Sequence, residues 1–368
     1  MIEYLDGDAK AEFVRRSTET ADEDLQSRGR KAVKAFHIRR DGRILFQEHI
    51  QYSDRRYVPL DALTLVNLYG DASEPIEATG PFTALPDGKH VLCFLKQDPA
   101  IVDMESGECE ILLEQVPNRP TVARFRPTVS RLAKIACHGK QFCFSADVDG
   151  GKESIFTANL DGSDLKQLTA GAYCSHPVYS TDGATIAFRH EIGGETQVWL
   201  MSADGENQRP LTHEVTADPI PLCFNADGSK LFCRAWGNGT QELWVVPLDG
   251  TQPTAAFRGM EIQLGDGLSA DGKLFTFGGT RKTPAGVWEY GLWSTDWNGK
   301  STLLSTHTAI PLSPCFSADG HHIAYVDSRH VCIVDTDGKN ARSLCEIRQQ
   351  TVADPVNLTW SVPTLPKR

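Results

Sequence analysis

Short apolar runs separated by tight-turn residues recur along the chain, and 13 Asp-Gly dipeptides mark most of these turns. Asp-Gly between two short apolar runs is the strongest local signal for a β-hairpin, since both residues tolerate the positive φ of a tight turn. Most of the dipeptides fall into two series. The Asp residues of the first series are 46, 95, 45, 44 and 48 residues apart, at Asp41, Asp87, Asp182, Asp227, Asp271 and Asp319.

A second turn follows most of these at a shorter offset, at Asp161, Asp204, Asp249, Asn298 and Asp337. Two hairpins per repeat require four strands, and a four-stranded antiparallel unit of about 45 residues is a β-propeller blade. The pattern therefore predicts an all-β fold, a seven-bladed β-propeller of four-stranded antiparallel blades. The predicted blades begin near residues 31, 80, 118, 172, 215, 259 and 307.

The interval of 95 residues spans two periods, so one first-series turn is missing. We place it at 126–131, between apolar runs at 122–125 and 132–136. We divide the chain into an N-terminal segment, a propeller and a C-terminal closing segment, at 1–30, 31–347 and 348–368. One or both terminal segments are expected to complete a terminal blade, because a closed ring exposes no strand edge.

Composition and charge narrow the functional classes. The 37 Lys and Arg against 48 Asp and Glu give a formal charge of −11, which disfavours nonspecific binding to nucleic acid or to an anionic membrane. The N-terminus lacks the pattern of a secretory signal, and no apolar run approaches the length of a membrane helix. We therefore expect a cytoplasmic protein. The ten cysteines contain no Cys-x-x-Cys pair and are expected to be reduced core residues.

Several motifs with a known mechanism are absent from the sequence. There is no G-x-x-x-x-G-K-[ST], G-x-G-x-x-G, H-E-x-x-H or G-x-S-x-G, so phosphate-binding loops and the hydrolase nucleophile elbow lack support. The segment 147–151 superficially resembles a calcium loop but lacks the later Glu, and a plain hairpin turn explains it better.

Topology indicates where a site would lie. If the first turn of each repeat lies on one face, the starts of first strands and the ends of second strands meet on the opposite face, around the channel. The candidate catalytic residues on that face are His176, Arg189, His190 and Arg234. The candidate substrate-binding residues are His49, His138, Asp218, Trp236, Gln263 and Arg281.

Arginines and histidines around one channel mouth suit a small anionic ligand, because Arg binds carboxylates bidentately and His titrates near neutral pH. Each residue also has a structural interpretation. His176 precedes a proline and could serve only as a hydrogen-bonding residue of its strand, and the polar strand ends could simply be solvated. Trp236 could stack on a sugar ring or pack between blades.

Two resemblances sharpen the prediction. Phe-Ser-Ala-Asp-Gly at 316–320 and Leu-Asp-Gly-Ser-Asp-Leu-Lys-Gln-Leu-Thr at 160–169 resemble the TolB-like propeller repeat. The order of blades resembles the oligogalacturonate lyases, which are cytoplasmic seven-bladed propellers acting on short uronate oligosaccharides. That likeness lies at 85–108, at Ser-His-Pro-Val-Tyr 175–179 with Ala-Phe-Arg-His-Glu 187–191, and at 217–281.

The lyase resemblance implies a manganese ion held by histidines at the starts of later inner strands. The matching positions in this chain read Asp-Pro-Ile-Pro at 218–221 and Ile-Pro-Leu-Ser-Pro at 310–314, without imidazoles. The family's arginine in the third blade also has no match at 155–160. We therefore expect the metal ligands to be missing and assign no cofactor. Of the family's residues, only His176 and His190 carry over.

The resulting hypothesis is a carbon-oxygen lyase that cleaves a uronate oligosaccharide by β-elimination without a metal. His176 is its base, Arg189 and Arg234 neutralise the carboxylate, and His190 or His49 orients the substrate or protonates the leaving oxygen. The alternative is a noncatalytic TolB-like propeller that binds a protein partner or a small anionic ligand on the same face. A propeller serving a peptidase is disfavoured, because no hydrolase domain follows in this sequence.

Overall fold

The computed structural model describes the parts of the chain that form the sheets. The described residues are 29–38, 44–52, 60–66, 76–77, 79–85, 90–95, 98–103, 108–113, 136–147, 152–212, 218–237, 239–317, 319–328, 330–346 and 357–360. Within them no helix is long and apolar enough to cross a membrane.

The described residues form 29 strands in seven sheets. The earliest strands are β1 (Gly29–Ile38), β2 (Ile44–Tyr52), β3 (Leu60–Val66) and β4 (Ile76–Glu77). The next blade contains β5 (Thr79–Ala84), β6 (His90–Leu95), β7 (Asp98–Asp103) and β8 (Cys109–Ile111). It is followed by the blade of β9 (Ala136–His138), β10 (Gln141–Asp147), β11 (Glu153–Asn159) and β12 (Lys166–Gln167).

Four further blades complete the series. Their strands are β13 (Tyr173–Tyr179), β14 (Thr185–Ile192), β15 (Glu195–Ser202) and β16 (Arg209–Pro210), then β17 (Ile220–Phe224), β18 (Lys230–Gly237), β19 (Thr240–Pro247) and β20 (Thr254–Gly259). After them come β21 (Ile262–Leu268), β22 (Leu274–Lys282), β23 (Trp288–Asp296) and β24 (Ser301–His307), then β25 (Leu312–Phe316), β26 (His322–Asp327), β27 (His330–Asp335) and β28 (Arg342–Glu346). The last strand is β29 (Asn357–Trp360).

The chain is an all-β propeller, but the prediction of seven four-stranded blades is wrong. Six blades have four strands, whereas the remaining sheet has five, in the order β29-β1-β2-β3-β4. In this sheet β29 runs parallel to β1, with Ala35 opposite Asn357. The turn spacing counts repeats and does not reveal a strand added from the far end of the chain, which no hairpin connects. The segment 348–368 supplies this strand, and residues 1–28 lie outside the described part.

One blade also differs from its predicted register. The missing turn was placed at 126–131, which lies outside the described residues. In the structure the first strand of that blade is β9, and Gly139 and Lys140 form its turn to β10, with Gly139 at φ +57°. A His-Gly turn takes the place of Asp-Gly at this point, which is why the spacing did not show it.

The core lies between neighbouring blades. Phe142, Phe144 and Phe156 pack against Leu92 of the preceding blade, and Phe232 packs with Phe275 of the following one. The Asp-Gly hairpins form as predicted: Asp182 accepts hydrogen bonds from Ser180 Oγ at 2.6 Å and from the Ala184 amide at 3.0 Å, and Gly183 has φ +70°. Eight cysteines of the described part form no disulfide bond; six of them are buried, and Cys109 and Cys223 are half-buried.

First strands of neighbouring blades lie side by side, for example β13 with β17 and β21 with β25. Wherever the structure describes the turn after a first strand, whether it is Asp-Gly or His-Gly, that turn lies on one face of the ring. We call the opposite face, which carries the starts of the first strands and the ends of the second strands, the upper face.

Candidate functional site

His176 lies in the middle of β13 in an unusual backbone conformation. Its φ is +55°, within an irregularity of the β13–β14 ladder between Ser175 and Val178. The left-handed conformation costs a non-glycine residue about 1–2 kcal/mol. The side chain is buried, at 8% exposure, and Nδ1 is 2.9 Å from Ser175 Oγ, which fixes the orientation of the ring.

Ser313 repeats this conformation in the β25–β28 blade. It lies six residues before the Asp of its turn, as His176 does, precedes a proline, and has φ +48°. Ser313 is fully buried, and its Oγ has no hydrogen-bond partner among the described residues. Asp218, which also precedes a proline, has φ +60°. Strain of this kind concentrates at functional sites, so the inner strand starts are a place to look for one.

Arg189 and Asp218 join two blades across the upper face. Arg189 lies on β14 opposite Ser175, the neighbour of His176. Its Nε and Nη2 both donate to Asp218 Oδ1, at 2.9 and 2.6 Å, and Nη2 also donates to Thr196 Oγ1 at 3.3 Å. The sequence prediction placed both charges on this face, but the structure shows that Asp218 already neutralises Arg189.

Arg234 is the second guanidinium of this group. It lies on β18 opposite Ile220 and is half-buried. Its Nε is shielded from solvent and lacks a hydrogen-bond partner among the described residues. Burial lowers the pKa of the Arg234 guanidinium, and the negative charge of Asp218 opposes that shift. Because Arg stays protonated in proteins, Arg189, Asp218 and Arg234 together carry one net positive charge.

His190 is separated from this group. Successive residues of a strand point to opposite faces, so His190 turns away from the side that carries Arg189. It packs against Trp199, with ring centroids 4.4 Å apart, and against Phe188. Burial lowers the pKa of the His190 imidazole below its usual value. These contacts are typical of a histidine packed in the core of a blade. Its role in orienting the substrate or protonating the leaving oxygen remains a prediction.

The predicted location of His138 is wrong. It ends the first strand of its blade rather than the second, and so lies at the turn, away from the upper face. There its ring contacts the next blade: the Tyr179 ring centroid is 6.0 Å away, and a Cβ added to Gly183 would clash with the His138 ring. His49 is on β2 opposite Ala32, and its side chain lies outside the described part.

Of the remaining predicted residues, Trp236 is exposed, whereas Gln263 and Arg281 contact side chains of their own blade. Trp236 is 43% exposed and lies two residues after Arg234 on the same face of β18. Gln263 is buried and donates from Nε2 to the Glu261 carboxylate. Arg281 donates to Glu289 at 3.2 Å and stacks over Trp293, 4.3 Å from the ring centroid, so its charge is already balanced.

The exposed apolar side chains mark the same face. All the exposed large hydrophobic residues of the described part lie at starts of first strands, ends of second strands, starts of third strands or the connections between blades. All of these positions belong to the upper face. The residues are Tyr173, Ile192, Trp236, Met260, Val287, Trp288 and Tyr290.

The described residues do not fit the manganese site that the lyase resemblance implies. Among them no group of three or more His, Cys, Asp or Glu side chains is arranged to hold a metal ion. The place in the β25–β28 blade that matches His176 presents the hydroxyl of Ser313, a poor manganese ligand beside imidazole or carboxylate.

Three features of this site were missed from the sequence. Ser175 and Thr196 bind His176 and Arg189, and the Arg189–Asp218 ion pair joins residues that are 29 positions apart in different blades. The hairpin spacing brings Thr196 opposite Glu191, beside Arg189, and this was a usable signal. No local signal pairs Arg189 with Asp218.

Comparison with known proteins places the fold. No protein-family model matches the chain. A segment of 44 residues is 48% identical to the Tol-Pal system protein TolB of Anaeromyxobacter dehalogenans, covering 12% of this chain and 10% of that protein. The chain therefore matches only about a tenth of that relative's length.

Solved structures give longer matches at low identity. An oligogalacturonate lyase from Vibrio parahaemolyticus matches with 12% identity and a TM-score of 0.56, over 82% of this chain and 87% of that chain. A puromycin-hydrolyzing peptidase from Mycobacterium tuberculosis matches with 18% identity and a TM-score of 0.60, over 88% of this chain. This chain spans only 55% of that peptidase. These likenesses show the fold: the chain is a β-propeller similar to both.

Proposed function

We propose that this chain binds a small carboxylate-bearing ligand on the upper face, with Arg234 receiving the carboxylate. The observation that carries the proposal is the half-buried guanidinium of Arg234, whose Nε has no partner among the described residues. A shielded donor on a charged group costs free energy unless it is paired. A small rotation of the side chain presents this donor to a carboxylate, which accepts two parallel hydrogen bonds from a guanidinium.

The charges around Arg234 favour an anion of low charge. Asp218 balances Arg189 through both of its hydrogen bonds, which leaves Arg234 as the cation in excess. One carboxylate therefore neutralises the net charge of Arg189, Asp218 and Arg234. The Asp218 carboxylate would repel further negative charge placed close to it.

Trp236 indicates the rest of the ligand. Its exposed ring lies on the same face of β18 as Arg234, two residues farther on. The apolar face of a sugar ring stacks on such an aromatic ring, while Arg binds the acid group. A uronic acid or a short uronate oligosaccharide combines these two features, and we propose it as the ligand class.

The test is a calorimetric titration of the full chain with galacturonate, digalacturonate and trigalacturonate, with neutral galactose oligosaccharides of equal length as controls. We expect heat of binding for the uronates and none for the neutral sugars. Equal binding of both series, or of neither, would overturn the proposal. A ligand at 100 times its Kd should also stabilise the fold by about 2.7 kcal/mol.

A second candidate function, β-elimination on the bound uronate, is favoured by His176. Its buried ring is oriented by Ser175 in a strained backbone, and the Ser175–Arg189–Asp218 contacts connect it to the arginine group. In this scheme His176 takes the proton from C5 and the C4–O bond breaks. The oxygen leaves with the bonding pair and takes a proton from water, and the product carries a C4=C5 double bond conjugated with its carboxylate. Arg234 stabilises the negative charge that develops on the carboxylate.

Ultraviolet absorbance of the unsaturated uronate tests this second function, with added divalent metal and with chelator as separate arms. We expect a chelator-resistant rise that is lost in His176→Ala and kept in His321→Ala, an exposed histidine at a turn on the other face. Uronate binding without any rise in absorbance would exclude the lyase and leave the binding propeller, the TolB-like alternative.

A further inference from the structure

A serine, a histidine and an aspartate form a hydrogen-bonded chain away from the arginine group. Ser305 and His307 lie two residues apart on β24, and therefore on one face of that strand. Asp327 ends β26 in the next blade. Ser305 Oγ is 2.8 Å from His307 Nε2, and His307 Nδ1 is 2.9 Å from Asp327 Oδ2.

The order of these contacts matches one set of hydrogen-bond directions. The ionised Asp327 only accepts, so His307 donates from Nδ1–H. In the tautomer protonated at Nδ1 only, Nε2 accepts the proton of the Ser305 hydroxyl. The hydrogen bond from His307 is the main cause that lowers the pKa of Asp327. This is the arrangement in which a histidine removes a proton from a serine and an aspartate stabilises the resulting imidazolium.

The surroundings hold the histidine and leave the serine accessible. The His307 side chain is 7% exposed and packs edge-on against Tyr325, with centroids 5.2 Å apart, whereas Asp327 is 30% exposed. Ser305 is half-buried on the outermost strand of its blade. Such an edge strand presents backbone N–H groups that no neighbouring strand uses, and these are donors suited to an oxyanion. Tyr290, opposite His307 in the ladder, is 36% exposed beside the group.

We propose that Ser305, His307 and Asp327 form a nucleophilic triad that hydrolyses small acyl esters. Ser305 Oγ bonds to the ester carbonyl carbon while His307 Nε2 takes the hydroxyl proton. The C–O bond to the alcohol breaks, and the alcohol leaves with the proton from His307. Water then attacks the acyl-serine, again through His307, and releases the carboxylic acid and the free hydroxyl. The half-buried position on a strand edge suits a short acyl group rather than a long one.

The competing role for the same contacts is structural: they join the outer strand of one blade to the next blade. A purely structural contact, which we call a clasp, needs the hydrogen bonds but no reactive hydroxyl. The test therefore uses a readout that a clasp does not affect, namely covalent capture of the serine.

The experiment treats the folded full chain with a fluorophosphonate probe and maps the modified peptide by mass spectrometry. We expect modification at Ser305, complete loss of labelling in Ser305→Ala, and loss of at least about 100-fold in rate in Asp327→Asn. Thr306→Ala, which removes an exposed hydroxyl from the neighbouring position of the same strand, should label like the wild type. Release of 4-nitrophenol from 4-nitrophenyl acetate should follow the same order.

Thermal unfolding of each variant separates loss of the nucleophile from loss of the fold. If wild-type protein with an intact unfolding transition is not modified at Ser305, the proposal is wrong and the group is a clasp. Labelling that persists in folded Ser305→Ala would contradict it equally. Uronate binding at Arg234 is measured separately, so failure of either proposal does not decide the other.

Discussion

Arg189 and Asp218 are joined through a single carboxylate oxygen: Nε and Nη2 of the arginine donate to Oδ1 at 2.9 and 2.6 Å. The pair links the end of β14 to the residue two positions before β17, so it connects neighbouring blades at their inner strands. Because Asp218 neutralises the charge of Arg189, this charge does not attract an anionic ligand. In the proposed function, the carboxylate of the ligand therefore binds Arg234 rather than Arg189.

Asp218→Asn should weaken the fold and strengthen anion binding. Removal of the charge leaves Arg189 without its counterion, but both side chains are partly exposed, at 22% and 44%, so the loss of stability is about 1 kcal/mol. The added net positive charge should tighten binding of a uronate. Urea unfolding and the same calorimetric titration measure the two effects. The control Asp164→Asn removes an exposed partner of Lys166 and should change stability by less than about 0.5 kcal/mol. Weaker uronate binding in Asp218→Asn would show that Asp218 itself holds the ligand.

The His138–Gly183 contact predicts a difference between two equivalent turns. Gly183 and Gly228 have φ +70° and +71°, but an added Cβ meets His138 at Gly183 and nothing within 4 Å at Gly228. Gly228→Ala should cost only the left-handed strain, about 1 kcal/mol, and Gly183→Ala about 2–3 kcal/mol. His138→Ala in the Gly183→Ala background should recover the difference. Equal losses in the two single variants, measured by urea unfolding, would show that His138 does not lie against this turn.

Ser313→Gly should stabilise the protein by up to about 1 kcal/mol. Glycine accepts the φ of +48° without strain, and the change removes a buried hydroxyl that has no partner among the described residues. The greater freedom of glycine in the unfolded chain offsets part of the gain. Ser317→Gly is the contrasting variant, because Ser317 Oγ donates to Asp319 and accepts from the His322 amide, and it should destabilise. A lower thermal midpoint for Ser313→Gly would indicate that its side chain binds a group outside the described residues.

The turn aspartates should make the fold acid-sensitive. Hydrogen bonds from Ser163, Ser180 and Ser229 are the main causes that lower the pKa values of Asp161, Asp182 and Asp227. A lowered folded-state pKa gives stability that is fully present above the unfolded pKa, about 4, and is lost as pH falls through the folded pKa.

The double variant Asp182→Asn with Asp227→Asn tests this, since it retains the side-chain oxygens and removes two of the titrating groups. Urea midpoints from neutral pH down to about pH 3 should fall less steeply below pH 4 in the variant than in the wild type. Parallel curves would mean that other carboxylates govern the acid response.

The hairpins of the fold could be predicted from the sequence because their turns depend on residues that are close together in the chain. Asp182 and Gly183 close a turn with hydrogen bonds to residues two positions away, so their signal is in the adjacent sequence. The hairpin spacing gives no signal for β29, the fifth strand of the closing sheet, because no hairpin connects it to β1; it comes from the C-terminal segment that we expected to complete a terminal blade. The His138-Gly139 turn was missed because it lacks the usual aspartate.

The sequence indicated which face of the propeller carries the candidate residues, but not which of these residues bind one another. The repeat placed His176, Arg189, Asp218 and Arg234 together at the starts and ends of the inner strands. Which of them bind one another depends on the approach of side chains from different blades, and neither Arg189–Asp218 nor His307–Asp327 has a local sequence signal.

The measurement that tests the central claim most directly is calorimetric titration of Arg234→Gln with digalacturonate, beside wild type and Arg258→Gln. Arg258 is an exposed arginine of the same blade that pairs with Glu242, so it controls for a general loss of positive charge. The account predicts that Arg234→Gln loses at least about tenfold in affinity, as expected for a charge-assisted bidentate contact, while Arg258→Gln binds like the wild type. Unchanged affinity in a folded Arg234→Gln would contradict the assignment of the carboxylate to Arg234, and with it the proposed site.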